Sequence, residues 1–141
     1  MTPPRLDAIV EGMSLGPLTR APDAMDLFLY SAAVWLPHRI HYDEPYTTEV
    51  EGHPALLVQG PLQGVYLTQL LGESFGDAVE LRSLRFRHQA PVYVGQTLVC
   101  RGVVNAVDTA ARTVACELWT ELEDGRRATA AEAEVVLQSG G

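Results

Sequence analysis

Hydrophobic spacing predicts an amphipathic helix in the segment that precedes Pro37. Apolar side chains recur there at positions i, i+3, i+4 and i+7, which places them on one face of a helix. This apolar face consists of Met25, Phe28, Leu29 and Ala32. Pro22 or Asp23 can begin the helix, and Pro37 ends it, because the residue before a proline avoids helical geometry.

A second predicted helix, over residues 61–71, is apolar on nearly every side. Pro61 suits its first position and Gly72 suits the position where it stops. Its apolar residues are Leu62, Val65, Tyr66, Leu67, Leu70 and Leu71. Because so little polar face is left, we expect neighbouring elements to bury this helix. Between the two helices, residues 43–51 favour a short helical turn.

The second half of the chain, residues 79–138, shows the alternation of β-strands. One strand places Leu84, Phe86 and His88 on one face and arginines on the other. Further strands are predicted over 98–107, 113–122 and 128–138, with an Asp-Gly hairpin turn at 123–126. Strands with short links form an antiparallel sheet, and a sheet that curls around the apolar helix buries both. The predicted fold class is therefore α+β, in a single domain over residues 1–141.

The composition disfavours a membrane protein and a nucleic-acid-binding protein. Of the 141 residues 47% are hydrophobic and 20% are charged, and no apolar run approaches the ~20 residues of a membrane span. The net charge is −8 and the chain contains no lysine, which disfavours binding to phosphate backbones but still allows a small anion held by a few arginines. The first residues lack the basic flank and apolar centre of a signal peptide, so we expect a cytoplasmic protein.

The two cysteines are expected to pack in the core and not to form a disulfide with each other. If the two central strands form a hairpin about residues 109–111, Cys116 faces Val104 and not Cys100. A disulfide is therefore not expected on register, nor in a cytoplasmic protein. Both thiols then serve as small apolar side chains.

One long segment resembles a known family. Residues 30–64 read YSAAVWLPHRIHYDEPYTTEVEGHPALLVQGPLQG, which is similar to the active-site segment of MaoC-like hot-dog hydratases and dehydratases. The likeness is closest to the branch that acts on unsaturated or hydroxylated acyl thioesters, which includes itaconyl-CoA and mesaconyl-CoA hydratases and hydroxyacyl-thioester dehydratase. The resemblance implies a hot-dog fold, in which a curved antiparallel sheet wraps around a central buried helix.

The same resemblance assigns roles to individual residues. His41 matches the family's catalytic histidine, and Gly60 matches the glycine whose backbone N–H faces the thioester oxygen. Gln59 lies where many members have histidine. Leu36 is a departure, because members carry aspartate or asparagine five residues before the catalytic histidine. A leucine can neither take a proton nor orient a water, so the usual acid–base pair of the family is incomplete here.

The chemistry of these residue types agrees with that assignment. Hydration of an unsaturated thioester needs a base for water and donors for the oxygen that becomes negative. His41 suits the first need, since the pKa of an ordinary imidazole lies near neutral pH. The helix start at Gly60 suits the second, because free N–H groups and the helix dipole favour negative charge. Alternatively, His41 is a buried histidine whose ring is satisfied by a backbone carbonyl.

Several nearby polar residues each admit two interpretations. His38 either partners His41 and orients water, or caps a helix end where free carbonyls attract a cation. Asp43 either supports the site, by holding an imidazole or contacting substrate, or caps the turn that follows it. His38, His41, His53 and Asp43 have the content of a metal site, but HRIH lies in a loop and lacks HExxH spacing, so no metal is predicted.

Three further candidates concern substrate binding. Gln59 either hydrogen-bonds a substrate carbonyl or carboxylate, or satisfies backbone groups beside the buried helix. Arg85 and Arg87 either bind the phosphates of coenzyme A or lie in solvent on the exposed face of their strand. The sequence leaves both choices open.

The predicted function is that of a hydro-lyase. It would add water to an enoyl thioester of coenzyme A or acyl carrier protein, or remove it from the 3-hydroxyacyl thioester, and would need no cofactor. His41 would act as acid and base, His38 would support it, and the Gly60 N–H would bind the oxyanion. A homodimer is expected, because symmetric pairing covers an exposed sheet edge.

Two other functions are alternatives to the hydro-lyase. The chain is alternatively a non-catalytic or half-catalytic subunit that pairs with another MaoC-like chain, an interpretation that Leu36 favours. A hot-dog thioesterase is disfavoured, because it would need a carboxylate beside the buried helix and residues 59–71 contain none.

Overall fold

The computed structural model describes residues 4–76 and 79–138. In this part of the chain five strands form one antiparallel sheet in the order β1-β3-β4-β5-β2. The strands are β1 (Ser14–Arg20), β2 (Val79–His88), β3 (Leu98–Asp108), β4 (Thr113–Leu122) and β5 (Arg127–Leu137), and the helices are α1 (Ala24–Val34) and α2 (Gly60–Phe75). Helix α2 packs against four of the five strands. The predicted α+β hot-dog architecture, a sheet around a central helix, is confirmed.

The strands and turns predicted for the end of the chain are confirmed. β3 and β4 pair as a hairpin in which Val104 lies opposite Cys116, as the predicted register requires. The Asp-Gly turn joins β4 to β5. Cys100 and Cys116 are free and buried, and burial raises the pKa of each thiol to about 12. Both cysteines are therefore unreactive members of the core.

Helix α2 is buried as expected but runs further than predicted. It continues past Gly72 to Phe75, which is 1% exposed, and ends at Gly76, whose φ of 85° suits glycine. The predicted stop at Gly72 is wrong, because a glycine stays helical when the buried side chains of Leu71 and Phe75 on either side hold it there. Neither α-helix in the described residues has both the length and the apolarity of a membrane span.

Strand β1 was not predicted, because the first half of the chain shows helical patterns and prolines in its sequence. It pairs with β3 at one edge of the sheet, and the pairing is interrupted between Leu15 and Leu18. Both leucines are buried. Gly16 and Pro17 occupy the interruption, where a proline costs no ladder hydrogen bond. The break disrupts the alternation by which a strand is recognised in sequence.

Helix α1 packs through residues outside its predicted apolar face. Its buried residues are Leu27 and Ser31, whereas Met25, Phe28 and Leu29 are 61%, 54% and 56% exposed and Ala32 is also exposed. The apolar face predicted from the spacing therefore lies on the surface of this chain. Leu27 and Ser31 are one helical turn apart, and this narrow contact is anchored by a hydrogen bond from Gln59 to the Leu27 carbonyl.

Removing the cap of α1 should measurably destabilise the fold. The Asp23 carboxylate accepts from the Asp26 N–H, and the Asp26 carboxylate accepts from the Asp23 N–H, both at 2.9 Å. Replacing an aspartate at this position costs about 1 kcal/mol, so Asp23→Ala should lower the free energy of unfolding in urea by that amount. Glu49→Ala, at an exposed position outside α1, is the control and should change little. Equal stabilities of the two variants would contradict the capping role.

Candidate active site

The loop that carries the two histidines is built from short, capped turns. It leaves α1 through Trp35, whose left-handed φ of 55° redirects the chain, and makes a 3-10 turn over Arg39–His41. A π-helical turn over Tyr46–Val50 follows, within the short helical turn expected at 43–51. These turns fix where His41 lies relative to the start of α2.

Asp43 caps this second turn, one of its two predicted roles. Its carboxylate accepts from the Tyr46 N–H at 3.2 Å and from the Arg39 guanidinium at 2.8 and 3.0 Å. The Arg39 guanidinium, helped by the Tyr46 N–H, lowers the pKa of the Asp43 carboxyl. No hydrogen bond joins Asp43 to either imidazole in the described chain. The geometry supports capping, and contact with substrate stays a prediction.

His41 is buried, with 8% of the residue exposed. Its Nδ1 lies 2.8 Å from the Leu57 carbonyl oxygen, and the Leu57 N–H in turn donates to the Ile40 carbonyl at 3.0 Å. Because a carbonyl only accepts, the neutral ring carries its proton on Nδ1 and a lone pair on Nε2. The backbone contact of the alternative interpretation is thus present, and it leaves Nε2 available as a base.

The pKa of the His41 imidazole lies below its usual value of 6.5. Burial is the main cause, since it disfavours the charged ring, and the nearby His38 lowers the pKa further. The hydrogen bond to Leu57 acts in the opposite direction but is weaker than burial. At neutral pH the ring is therefore uncharged, which is the state that a general base requires.

His38 is exposed and lies edge-on to His41, with the ring centroids 5.8 Å apart. It forms no described hydrogen bond to the end of α1, where the Ser31 carbonyl instead accepts from the N–H groups of Trp35 and Leu36. The structure therefore places His38 beside His41, and a supporting role for His38 in catalysis stays a prediction.

Leu36 and its neighbours form an apolar wall near these histidines. A cavity of about 150 Å³ is lined here by Phe28, Ser31, Ala32, Trp35, Leu36, Pro37 and Tyr42. Leu36 thus contributes apolar surface at the position where the resemblance implies aspartate or asparagine.

The N-terminus of α2 offers free backbone donors. Gln59 is the cap residue and Gly60 begins the helix, followed by Pro61, which has no N–H. The first backbone hydrogen bond described for this turn joins the Gln63 N–H to the Gln59 carbonyl. The N–H groups of Gly60 and Leu62 have no described partner and lie at the positive end of the helix dipole. Such a terminus can bind an oxygen that becomes negatively charged.

Gln59 ties α1 to this terminus. Its side chain is fully buried, and its Nε2 donates to the Leu27 carbonyl at 2.7 Å and to the Ser31 hydroxyl at 2.9 Å. Its Oε1 is buried without a hydrogen-bond partner in the described chain. The two donated bonds support the role of satisfying polar groups beside the buried helix. Contact of Gln59 with substrate stays a prediction.

His88, for which the sequence predicted no role, lies against Gly60. A Cβ added to Gly60 would stand 2.8 Å from Cε1 and 2.9 Å from Cδ2 of the His88 ring. The Nδ1 of His88 is 2.9 Å from the Thr129 hydroxyl, and burial lowers the pKa of the ring. The alternation in β2 correctly placed His88 on one face with Leu84 and Phe86, but contact with Gly60 depends on tertiary packing.

Arg85 and Arg87 alternate with Phe86 and His88 along β2. The two arginines line a groove that does not include His41. This groove has a volume of about 340 Å³ and also contains Glu117 and Glu132. Two carboxylates beside the guanidinium groups weaken the attraction for a phosphate. The structure does not group these arginines with His41, and their contact with coenzyme A stays a prediction. Within residues 4–76 and 79–138 no group of three His, Cys, Asp or Glu side chains is placed to hold a metal ion.

Curated relatives match the segment that contains this site. The chain is 40% identical over 91 residues to mesaconyl-C(4)-CoA hydratase of Chloroflexus aurantiacus, covering 64% of this chain and 29% of that protein. It is 34% identical over 82 residues to the mitochondrial hydroxyacyl-thioester dehydratase type 2 of Saccharomyces cerevisiae, covering 56% and 28%. The chain therefore spans less than a third of the length of these relatives.

Solved structures share the fold at low sequence identity. An (R)-hydratase from A. caviae superposes with a TM-score of 0.86 at 19% identity, covering 93% of this chain and 98% of that one. The unliganded R-hydratase PhaJ1 from Pseudomonas aeruginosa gives a TM-score of 0.87 at 18% identity, covering 96% and 86%.

A family model covers most of the elements described above. The model for hydroxyacyl-thioester dehydratase type 2 matches residues 15–94, a span that runs from β1 through the histidine loop and α2 to the segment after β2. With the hot-dog fold in place, the chain belongs to the hydroxyacyl-thioester dehydratase type 2 family of MaoC-like proteins.

Proposed function

We propose that the protein is a hydro-lyase acting on acyl thioesters, which interconverts an enoyl thioester and its 3-hydroxyacyl thioester. The observation that carries this proposal is His41, a buried neutral imidazole whose Nδ1 is bound to the Leu57 carbonyl. The loop that accepts this bond leads within three residues to Gly60, where α2 begins. A base and a set of oxyanion donors are thus joined by one short segment of chain.

The proposed reaction starts when the thioester oxygen binds at the N–H of Gly60. Nε2 of His41 takes a proton from water while the water oxygen bonds to the β-carbon. The electrons of the double bond move toward the carbonyl, and the oxygen becomes negative where the free N–H groups and the dipole of α2 stabilise it. A proton from solvent then bonds to the α-carbon, and His41 releases to solvent the proton that it took from water. Dehydration follows the same steps in reverse, with the protonated His41 giving its proton to the departing hydroxide.

Hydration of crotonyl-CoA by the purified chain tests this function. The reaction removes the conjugated double bond, so the absorbance of the enoyl thioester should fall with time, and 3-hydroxybutyryl-CoA should appear by mass spectrometry. A bulkier enoyl-CoA should be run in parallel, because the apolar wall at Leu36 favours large acyl groups. A wild-type chain that turns over neither substrate would contradict the proposal.

Hydration should also show a characteristic dependence on pH. The active form of His41 is the neutral ring, and the pKa of this ring lies below 6.5. The kcat/KM should therefore fall as the pH falls through the pKa of His41. His38 is one cause of the low pKa. Replacing it in His38→Gln should therefore move the acidic limb of the profile toward higher pH. A wild-type limb well above pH 6.5 would show that another group controls the rate.

A second candidate function is that of one subunit in a larger assembly. The apolar face of α1 is exposed in this chain, and β2 lies at an edge of the described sheet. A second copy, or another MaoC-like chain, would cover such surfaces. Solved structures of the same fold include the ChsH1-ChsH2 complex and the HadBC complex of Mycobacterium tuberculosis.

Light scattering combined with turnover separates these candidates. An active homodimer supports the hydro-lyase, with acyl-CoA or acyl-carrier-protein thioesters as substrates. Activity that requires a second MaoC-like chain would instead identify this chain as a subunit.

The cytoplasmic location also stays a prediction, since curated relatives include proteins named as mitochondrial.

A further inference from the structure

The N-terminus of α2 is in contact with a second imidazole, that of His88. The ring lies so close to Gly60 that a Cβ at that position would overlap it, with Nε2 the nearest atom. His88 ends strand β2, and Phe86, two residues earlier, lies against Gly64 of the same helix in the same way. β2 therefore places Nε2 beside the first residue of α2.

A chain of buried hydrogen bonds determines which nitrogen of His88 carries the proton. Oε1 of Gln63 accepts from the hydroxyls of Thr120 and Thr129, each at 2.8 Å. Since Thr129 donates its one hydroxyl proton to Gln63, its oxygen accepts from Nδ1 of His88 at 2.9 Å. The lone pair of the neutral ring is therefore on Nε2, which lies next to Gly60.

This series of hydrogen bonds is shielded from water, which makes it a rigid support for the His88 ring. Thr120 and Thr129 have no exposed surface, and Gln63 is 2% exposed. His88 itself is exposed, so a ligand can reach its ring. His88 is thus arranged like His41: Nδ1 is held by an acceptor at its back and Nε2 is free as a base.

We propose that His88 is the second acid–base residue of this site and that it exchanges a proton with the α-carbon of the thioester. The inference rests on the hydro-lyase function proposed above. If the thioester oxygen binds at the Gly60 N–H, the α-carbon lies two bonds from that oxygen and therefore beside His88. The chain then has separate groups for its two proton transfers, one at the α-carbon and one at the hydroxyl oxygen.

Atoms and charges balance in the dehydration direction. Nε2 of His88 takes the proton from the α-carbon, and the electron pair of that C–H bond becomes the new C=C bond. The bond from the β-carbon to oxygen breaks, and the hydroxide takes a proton from the His41 imidazolium to leave as water. His88 has then gained one proton and His41 has lost one, and exchange with solvent water restores both rings.

Exchange of the α-protons of butyryl-CoA in D₂O isolates the step assigned to His88. This thioester has no 3-hydroxyl and cannot be dehydrated, so deuterium gained at the α-carbon reports that single proton transfer. The wild type and His41→Gln should both exchange. In His88→Gln both the exchange and the kcat for crotonyl-CoA should fall by about 10² or more, the usual contribution of an acid–base group. His53→Gln is the matched control and should behave as the wild type.

The outcomes distinguish this inference from the function on which it rests. Hydration and exchange by His88→Gln at near wild-type rates would overturn the role of His88 and leave the hydro-lyase intact, as would a wild type that hydrates crotonyl-CoA without exchange. A wild type that does neither would overturn the function itself. If His88→Gln does not fold, Thr129→Val keeps the imidazole but removes its acceptor, and should slow exchange about 10-fold or more; an unchanged rate would also overturn the inference.

Discussion

His41→Gln is expected to abolish most of the hydration of crotonyl-CoA. The glutamine amide can still donate a hydrogen bond to the Leu57 carbonyl, as Nδ1 of His41 does at 2.8 Å, but it cannot accept a proton from water. The kcat should fall by about 10² to 10⁴, the range for loss of a general base. KM should change little, because the donors at the start of α2 remain in place.

His53→Gln provides the control for this loss. It makes the same chemical change at a histidine whose Nδ1 lies 3.3 Å from the Tyr93 hydroxyl and which has no assigned role in the reaction. Near-normal activity of His53→Gln, together with unaltered circular dichroism of both variants, would assign the loss to the missing base. If His41→Gln retained most of the wild-type rate, His41 would be no more than a buried histidine held by a carbonyl.

The parts of the fold that sequence predicted well are those whose pattern reports directly on burial. The second helix has apolar residues on almost every side, and the strands after residue 97 are rich in β-branched residues or alternate, so both were identified. The strands were placed to within a residue of their bounds, whereas the helix was predicted only as far as Leu71 and continues to Phe75. β1 was missed because Gly16 and Pro17 interrupt its alternation. The apolar face of α1 follows from the spacing, but its exposure could not be predicted, because spacing shows which residues share a face and not what covers that face.

The candidate site was predictable only in part, for a related reason. His41 and Gly60 came from a resemblance to known enzymes, and periodicity alone would not have selected them. The bond from Gln59 to Leu27 spans 32 residues, and the contact between His88 and Gly60 joins the end of a strand to the start of a helix. Contacts of this kind depend on how elements pack, which local spacing does not encode.

Gly60→Ala should damage the site, whereas Gly72→Ala in the same helix should not. A Cβ at Gly60 would lie 2.8 Å or less from atoms of the His88 ring, closer than real Cβ contacts allow, while a Cβ at Gly72 meets nothing within 4 Å. Gly72→Ala should therefore stabilise α2 by about 0.5–1 kcal/mol, the difference in helix propensity. Gly60→Ala should lower kcat/KM for crotonyl-CoA by about 10² to 10³, comparable to the loss of an oxyanion donor.

The cause of that damage can be located with a double variant. In Gly60→Ala the His88 ring must move, which breaks its hydrogen bond to Thr129 and should lower the free energy of unfolding. Adding His88→Ala removes the obstacle, so Gly60→Ala/His88→Ala should be more stable than the sum of the two single changes predicts. Additive effects would mean that His88 does not confine Gly60. Any loss of activity in Gly60→Ala would then come from the alanine methyl group itself, which would block the thioester directly or disturb the backbone path into α2.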